Sequence, residues 1–129
     1  MNSARYLGIW MDYSIAHLME LTNDTIVTNT IESQSKLQKE EQNLSKDESL
    51  MHNIEKNQRS AYFKRLSDII KDYGEVVLFG PTEAKNELLN LLRANHLFDK
   101  IKIEIKTTDK MTENQQHAFV KGYFHLQYP

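Results

Sequence analysis

The order of strand-like and helix-like segments constrains the fold of this chain more than any other feature of its sequence. Three strand-like runs come first, and only short turns separate them. Tyr6 to Met11 is almost continuously apolar, as expected of a central strand buried on both faces, and the runs Ile15 to Leu21 and Thr25 to Ile31 follow. No helix fits between these runs. The sequence therefore predicts an antiparallel meander whose third strand lies at a sheet edge.

The rest of the chain alternates between helical and strand-like patterns. Apolar residues keep helical spacing from Leu50 to Tyr73, with Asn57 as an N-cap residue at which the helix could break, and Gly74 is predicted to end it as a C′ glycine. Beyond Gly74 the chain predicts strand, helix, strand and helix, at 75–79, 84–92, 101–106 and 112–124. The second of these helices has an apolar stripe that includes Leu91. Helices between strands imply right-handed parallel crossovers.

This element order, β-β-β-α-β-α-β-α, predicts an α/β fold with a mixed five-stranded sheet. A meander whose first strand continues into two βα units has the strand order 3-2-1-4-5, which is the ribonuclease-H-like arrangement with flanking helices. The alternative, a doubly wound parallel sheet, requires a crossover helix after the first strand, and no helical pattern follows Met11. The length of 129 residues predicts a single domain, with a polar excursion at about 34–47.

Composition removes several functional classes. The chain contains no cysteine, which excludes disulfide frameworks, thiolate zinc sites and cysteine nucleophiles and fits a reducing compartment. No apolar run approaches the roughly 18 residues of a membrane span, so we expect no membrane partner. A net charge of −2 excludes a broadly basic nucleic-acid-binding surface but allows one local basic face.

Carboxylates near strand ends suggest a metal-dependent enzyme as one hypothesis. Asp12 follows the first predicted strand, where ribonuclease-H-like nucleases keep a metal-binding carboxylate, and Asp109 and Glu83 are the other candidates. Carboxylates that converge on Mg²⁺ can activate water for phosphoester hydrolysis. A nuclease or phosphoester hydrolase using Asp12 and Asp109 is therefore one interpretation. In the other, Asp12 caps a turn through its own backbone.

The remaining motifs predict no metal or cofactor. The five histidines include no His-x-x-x-His or Glu-x-x-His pair. Gly80-Pro81-Thr82 precedes a predicted helix but lacks the glycine pattern and the Gly-Lys of a phosphate loop. No serine lies in a Gly-x-Ser-x-Gly elbow.

Basic residues form two groups along the chain. The first surrounds Gln58 and contains Lys56, Arg59, Lys64, Arg65 and Lys71. The second surrounds the last predicted strand and contains Lys100, Lys102, Lys106 and Lys110. A charge run of this kind is either a solvated helix face or a set of contacts to RNA phosphates.

Four segments, taken in order, resemble one protein family over nearly the whole chain. They are Gly8 to His17, with its Trp10 and Asp12, then Gln58 to Leu66, Val76 to Leu88 and Thr107 to Phe124. This chain resembles the middle domain of the archaeo-eukaryotic peptide-chain release factors and of Pelota, in particular its small stand-alone bacterial relatives. The resemblance implies a ribonuclease-H-like layout, which agrees with the predicted strand order.

This chain departs from the release factors that it resembles at one functional motif, the Gly-Gly-Gln loop. In that family a Gly-Gly-Gln loop precedes the long helix, and the matching positions here are Lys56-Asn57-Gln58. Gln58 matches, but the two glycines, which give a loop access to backbone angles closed to other residues, are missing. We therefore expect Gln58 to be a solvent-exposed helix residue and expect no peptidyl-tRNA hydrolysis. We also expect no decoding domain and no partner-binding domain.

The resemblance therefore implies, as the leading hypothesis, a small cytoplasmic, translation-associated protein that binds the ribosome or tRNA without catalysis. Lys56, Gln58, Arg59, Lys64 and Arg65 are its predicted RNA contacts. Two alternatives stay open beside it. One is the metal-dependent hydrolase described above. The other is a protein–protein interaction module that works through the edge strand at 25–31 or the polar excursion at 34–47.

Overall fold

Within the residues that the structure describes, five strands form one mixed sheet with helices on both faces. The structure is a computed structural model that describes residues 5–23, 25–33 and 48–127, with side chains from 55 to 125 in the last range. The strands are β1 (Tyr6–Met11), β2 (Ile15–Thr22), β3 (Thr25–Glu32), β4 (Glu75–Gly80) and β5 (Lys102–Thr107). The helices are α1 (Glu48–Ile70), α2 (Ala84–Arg93) and α3 (Glu113–Gln127), and a short 3-10 helix spans His96–Phe98.

The strand order is β3-β2-β1-β4-β5, which confirms the predicted fold. β1 pairs antiparallel with β2, and β2 with β3, while β1 pairs parallel with β4, and β4 with β5. Asn23 adopts a positive φ of 50° in the turn after β2, a conformation that asparagine tolerates better than most residues. β3 lies at one edge of the sheet, as predicted. The predicted excursion at 34–47 lies outside the described residues.

The predicted break in α1 and its predicted glycine cap are both wrong. The helix continues through Asn57 and ends at Ile70, before Gly74. The last turn tightens, because the amide of Tyr73 donates to the Ile70 carbonyl at 3.0 Å. Gly74 does not have a positive φ, and its amide donates instead to the Arg5 carbonyl at 3.0 Å. The glycine therefore joins the start of β4 to the start of β1.

Two apolar clusters cover the two faces of the central strands, as the uninterrupted apolar runs of β1 and β4 predicted. On one face α1 and α2 pack on alternate residues of β1, among them Leu7, Ile9 and Met11. On the other face α3 packs through Val120 and Phe124 against a second set. That second set contains Trp10, Met19, Val77 and Phe79.

In α2 one apolar side chain differs from the sequence prediction. The stripe of α2 is buried at Ala84, Leu88, Leu89 and Leu92, but Leu91 is 52% exposed. Leu91 points away from the sheet, because it lies one helical step from Leu92 and about 100° around the helix. Among the described residues, no helix combines the length and the apolar character needed to span a membrane.

Candidate nucleic-acid interface

The basic residues predicted to contact RNA divide between two flanks of α1. Successive residues are rotated by about 100° in an α-helix, so residues three, four or seven positions apart share a flank. Lys56, Arg59 and Lys64 line the side of α1 that faces α2. Arg65 lies on the other flank and donates from Nη1 to the Glu32 carbonyl at 3.1 Å, at the end of β3. Gln58, seven residues before Arg65, shares that second flank.

Arg59 is an exposed cation that intramolecular contacts hold in place. Its Nη1 lies 3.5 Å from Oε1 of Glu87 in α2, and its guanidinium lies 4.6 Å from the centre of the Tyr13 ring. The Tyr13 hydroxyl in turn donates to the Glu87 carboxylate. This hydrogen bond, together with partial burial, raises the pKa of Tyr13 above its ordinary value. The three side chains connect the β1–β2 turn to both helices on this face.

Lys56 and Lys64 have fewer constraints than Arg59. Both are exposed, and Lys64 lies 3.7 Å from Asp68 in an i,i+4 pair whose members are 77% and 57% exposed. Exposed pairs of this kind contribute little free energy, so they exchange readily with other partners. Within the described residues Lys56 takes part in no ion pair. These two lysines are the side chains on this flank best able to turn toward a ligand.

Gln58 lies within the continuous helix and is half-buried, which corrects the expectation of a solvent-exposed side chain. Lys56, Asn57 and Gln58 all belong to α1, and among the described residues only Asn23 and Gly80 have positive φ. In a helix the amide of residue i donates to the carbonyl of residue i−4. The backbone amide of Gln58 is thus directed along the helix axis and does not project into solvent.

The carboxylates of the hydrolase hypothesis have local roles in the structure. Oδ1 of Asp12 accepts hydrogen bonds from the amides of Ser14 at 2.7 Å and Ile15 at 2.9 Å, so this side chain caps the β1–β2 turn. Asp109 is exposed beyond β5, and Glu83 is exposed and accepts a hydrogen bond from Asn86. Over the described ranges, no group of three or more His, Cys, Asp or Glu residues is arranged to hold a metal ion.

The second basic group is partly neutralised. Nζ of Lys102 lies 3.9 Å from the carboxylate of Glu75 on the neighbouring strand β4. It also lies 3.7 Å from the carboxylate of Glu104 on its own strand, β5. The other three members, Lys100, Lys106 and Lys110, are exposed around β5. This second basic group therefore lies along β5, at the edge of the sheet opposite β3, and it is separate from α1.

Sequence reasoning missed the contribution of α2 to this surface. Glu87 orders Arg59, yet Tyr13 and Glu87 are separated by 74 residues, so no local pattern relates them. Leu91 has a sequence signal, because it is one of five apolar positions on a helix of ten residues, and that stripe is wider than one buried face requires. Such an excess of apolar positions is the feature from which an exposed leucine could have been predicted.

Comparison with known proteins gives matches among solved structures alone. No protein-family model matches the sequence, and no curated protein matches it significantly. The structure is similar to Pelota of Thermoplasma acidophilum, with a TM-score of 0.62, 14% identity and coverage of 92% of this chain and 32% of that chain. Pelota of Archaeoglobus fulgidus gives a TM-score of 0.56 at 10% identity, covering 98% and 37%.

The archaeal translation termination factor aRF1 is also similar, with a TM-score of 0.51, 13% identity and coverage of 95% of this chain and 41% of that chain. The present chain thus spans between 32% and 41% of the length of these three proteins. Each match covers more than nine-tenths of the present chain. The strand order 3-2-1-4-5 is the one that the resemblance implied. The chain therefore has a fold like that of the middle domain of Pelota and of the archaeal release factor aRF1.

Proposed function

We propose that this protein is a translation-associated, cytoplasmic RNA-binding protein that contacts ribosomal or transfer RNA through α1 and does not hydrolyse peptidyl-tRNA. The observation that carries the proposal is the likeness of the fold to two Pelota proteins and an archaeal translation termination factor over more than nine-tenths of the chain. The exposed basic side chains of α1 supply the contact surface. The chain is slightly acidic as a whole, so these residues provide a local attraction.

The cations of α1 that could contact phosphates differ in how firmly they are held. Lys56 and Lys64 are the mobile ones, since neither is held by a buried partner. Arg59 is fixed by Glu87 and Tyr13 at the same flank and presents a guanidinium that is about half exposed. Contacts to phosphates release counterions, so binding through these side chains should weaken steeply as salt rises.

The helical conformation of Gln58 supports the proposal that the protein does not hydrolyse peptidyl-tRNA. Catalysis in the release-factor manner would require the glutamine and its backbone amide to approach an ester, and glycines before it permit that approach. Here the residues at those positions are helical, and the amide of Gln58 is used along the helix. We expect the wild-type protein to leave peptidyl-tRNA intact in the presence of ribosomes. Hydrolysis that disappears in Gln58→Ala would contradict the absence of catalysis but not the proposed RNA contact.

Co-sedimentation with ribosomes at increasing salt tests the RNA contact. The informative variant is Lys56→Glu with Lys64→Glu, because these substitutions disturb only exposed contacts. Reversal of Arg59 or Arg65 would also remove contacts that join α1 to the rest of the fold. The matched control is Lys100→Glu with Lys110→Glu, which changes the net charge by the same amount on exposed residues near β5.

We expect the wild type and the control to sediment with ribosomes at low salt and to be released as salt rises. The α1 variant should bind at least tenfold more weakly, because each lost phosphate contact lowers the affinity and its salt dependence. A wild type that stays in the supernatant at low salt would reject the proposal. A larger loss in the control than in the α1 variant would move the contact to the second basic group.

A further inference from the structure

A groove runs between α1 and α2 on the outer surface of the molecule, and we call it the leucine groove. It consists of two adjoining depressions of about 410 and 440 Å³ that share Ser60, Phe63 and Leu91. One begins at Lys56 and the other extends to Lys71, just past the end of α1. At a rise of 1.5 Å per residue, the distance along the helix between these lysines is about 22 Å. A helix of about 15 residues has the same length.

The floor of the leucine groove is aliphatic and open to solvent. Leu91 is 52% exposed and Leu97 is 76% exposed, and they are two of the three large hydrophobic side chains that are exposed among the described residues. Phe63, Leu92 and Phe98 lie beneath them and are buried. Large apolar side chains that gather in one depression, with polar residues at its rim, are typical of a protein interaction site.

The rim of the leucine groove carries an excess of positive charge, which lies on α1 and on Lys71 directly after it. Four basic side chains line the groove, namely Lys56, Arg59, Lys64 and Lys71, against two acidic ones, Asp68 and Glu87. Both acidic side chains are already paired, Asp68 with Lys64 and Glu87 with Arg59. The α2 side contributes the uncharged Asn90 and Asn95. The surface that complements this rim is acidic.

We propose that the leucine groove docks an acidic amphipathic helix of about four turns from a partner protein. Its apolar residues, at positions i, i+4, i+7 and i+11, cover Leu91 and Leu97, and its flanking carboxylates pair with Lys56 and Lys71. The same surface is poorly suited to bases, because single-stranded RNA binds exposed aromatic rings and the two phenylalanines here are buried. The aliphatic floor thus favours a peptide over RNA as the occupant.

This docking is separate from the RNA contact proposed above, although both use the α1 rim. The leucines distinguish the two, since phosphate contacts do not depend on an aliphatic floor. A partner helix in the groove would cover Lys56 and Lys64, so an occupied groove and RNA bound through these lysines are mutually exclusive. The protein partner would then regulate RNA binding by direct competition.

The probe is a fluorescent designed helical peptide of about 15 residues, with leucine at the four apolar positions and glutamate on both flanks. Glutamate on both flanks places carboxylates against α1 in either orientation of the peptide. A twin with lysine in place of every glutamate is the charge control. Binding is followed by fluorescence anisotropy with the full chain, and NMR of the leucine methyl groups locates the peptide.

We expect saturable binding of the acidic peptide and much weaker binding of the basic twin. Leu91→Ser with Leu97→Ser should weaken binding at least tenfold, because the apolar contact is lost from two exposed positions that the fold does not need. The control Val27→Ser removes an apolar side chain on β3 that is 54% exposed, close to the value for Leu91, and should change nothing. Lys56→Glu with Lys71→Glu should reverse the preference between the two peptides.

Three outcomes would overturn the proposal. The first is the absence of saturable binding of the acidic peptide up to about 1 mM. The second is equal affinity for both peptides, or an affinity that the leucine substitutions leave unchanged. The third is loss of ribosome co-sedimentation in the leucine variant, which would make the groove part of the RNA contact. Ribosome binding that survives these substitutions while peptide binding disappears supports two separate functions.

Discussion

The hydroxyl of Tyr62 in α1 donates a hydrogen bond to the backbone carbonyl of Asp12, at a distance of 2.9 Å. Asp12 is the residue that follows β1, and its carboxylate accepts hydrogen bonds from the backbone amides of Ser14 and Ile15. Tyr62 is 1% exposed. A single buried hydroxyl therefore connects the long helix to the turn at the end of the central strand, and burial raises the pKa of Tyr62 well above its ordinary value.

The burial of Tyr62 predicts a loss of stability at alkaline pH. Burial and the Glu20 hydrogen bond also raise the pKa of Tyr73 to about 12. Because an unfolded tyrosine ionises near pH 10, the unfolded state releases protons above that pH while folded Tyr62 keeps its own. Stability from Tyr62 is thus fully present below about pH 10 and falls above it by about 1.4 kcal/mol per pH unit. Urea unfolding at a series of pH values measures the combined slope of Tyr62 and the other tyrosines whose pKa is raised.

Tyr62→Phe isolates the contribution of the hydroxyl. At neutral pH we expect a loss of about 1 kcal/mol, because the Asp12 carbonyl loses its partner. Above about pH 10 the variant should lose stability less steeply than the wild type, since it has one tyrosine fewer to ionise on unfolding. Parallel slopes for the two proteins would show that Tyr62 ionises equally well in the folded state.

Gly8 allows α3 to approach the sheet. A Cβ atom at this position would overlap the side chain of Val120, so Gly8→Ala should destabilise the fold by about 1–3 kcal/mol. Gly122 in α3 provides a matched control, because a Cβ atom added there would meet no described atom of another element within 4 Å. Gly122→Ala should therefore stabilise the helix slightly. Thermal and urea unfolding measure both changes.

A double-mutant cycle checks the cause assigned to Gly8. Val120→Ala removes the two Cγ atoms that the new methyl group would meet. Gly8→Ala combined with Val120→Ala should therefore be less destabilised than the sum of the single variants, by about 1 kcal/mol. Strict additivity would place the cost of Gly8→Ala in the backbone and not in the contact with α3.

The hydrogen bonds of Gln116 fix the tautomer of His17. Nε2 of Gln116 donates to the Met111 carbonyl at 3.1 Å, so its Oε1 faces Nδ1 of His17 at 2.8 Å. An amide oxygen only accepts, and Nδ1 must therefore carry the proton. We expect neutral His17 to be the Nδ1–H tautomer in proton–nitrogen NMR spectra, with exposed His125 as the internal reference. Gln116→Leu should abolish this tautomer preference, and an Nε2–H form in the wild type would contradict it.

Glu87 should control the ionisation of Tyr13. The hydrogen bond to Glu87 and the negative charge of Glu87 both raise the pKa of Tyr13. Glu87→Gln removes that charge, and the pKa of Tyr13 should therefore fall toward its ordinary value. The free energy of unfolding should change by less than about 1 kcal/mol, because the Arg59–Glu87 pair is nearly half exposed. NMR titration of the tyrosine ring signals measures the shift. An unchanged pKa in the variant would mean that burial alone raises it.

The sequence by itself determined the strand and helix order of this protein. Continuous apolar runs at β1 and β4 are stable only when both faces are covered, and the short turns around β2 leave no room for a crossover helix. These are local constraints on neighbouring residues, so periodicity and turn chemistry were sufficient to predict the succession of elements along the chain. The strand order 3-2-1-4-5 followed when that succession was matched to the ribonuclease-H-like arrangement. Gly74 was misassigned because a glycine after a helix can cap it or begin the next strand, and only its partner, Arg5, decides.

The tertiary structure alone decided how the candidate site is arranged. Periodicity relates Lys56 to Arg59, but only the rotation of α1 on the sheet turns them toward α2 and directs Arg65 toward β3. Glu87 and Leu91 belong to the same surface although they are distant from α1 in sequence, because two helices that pack side by side create contacts between residues with no local relation. The succession of strands and helices along the chain is thus determined by neighbouring residues, whereas a groove is determined by the packing of whole elements.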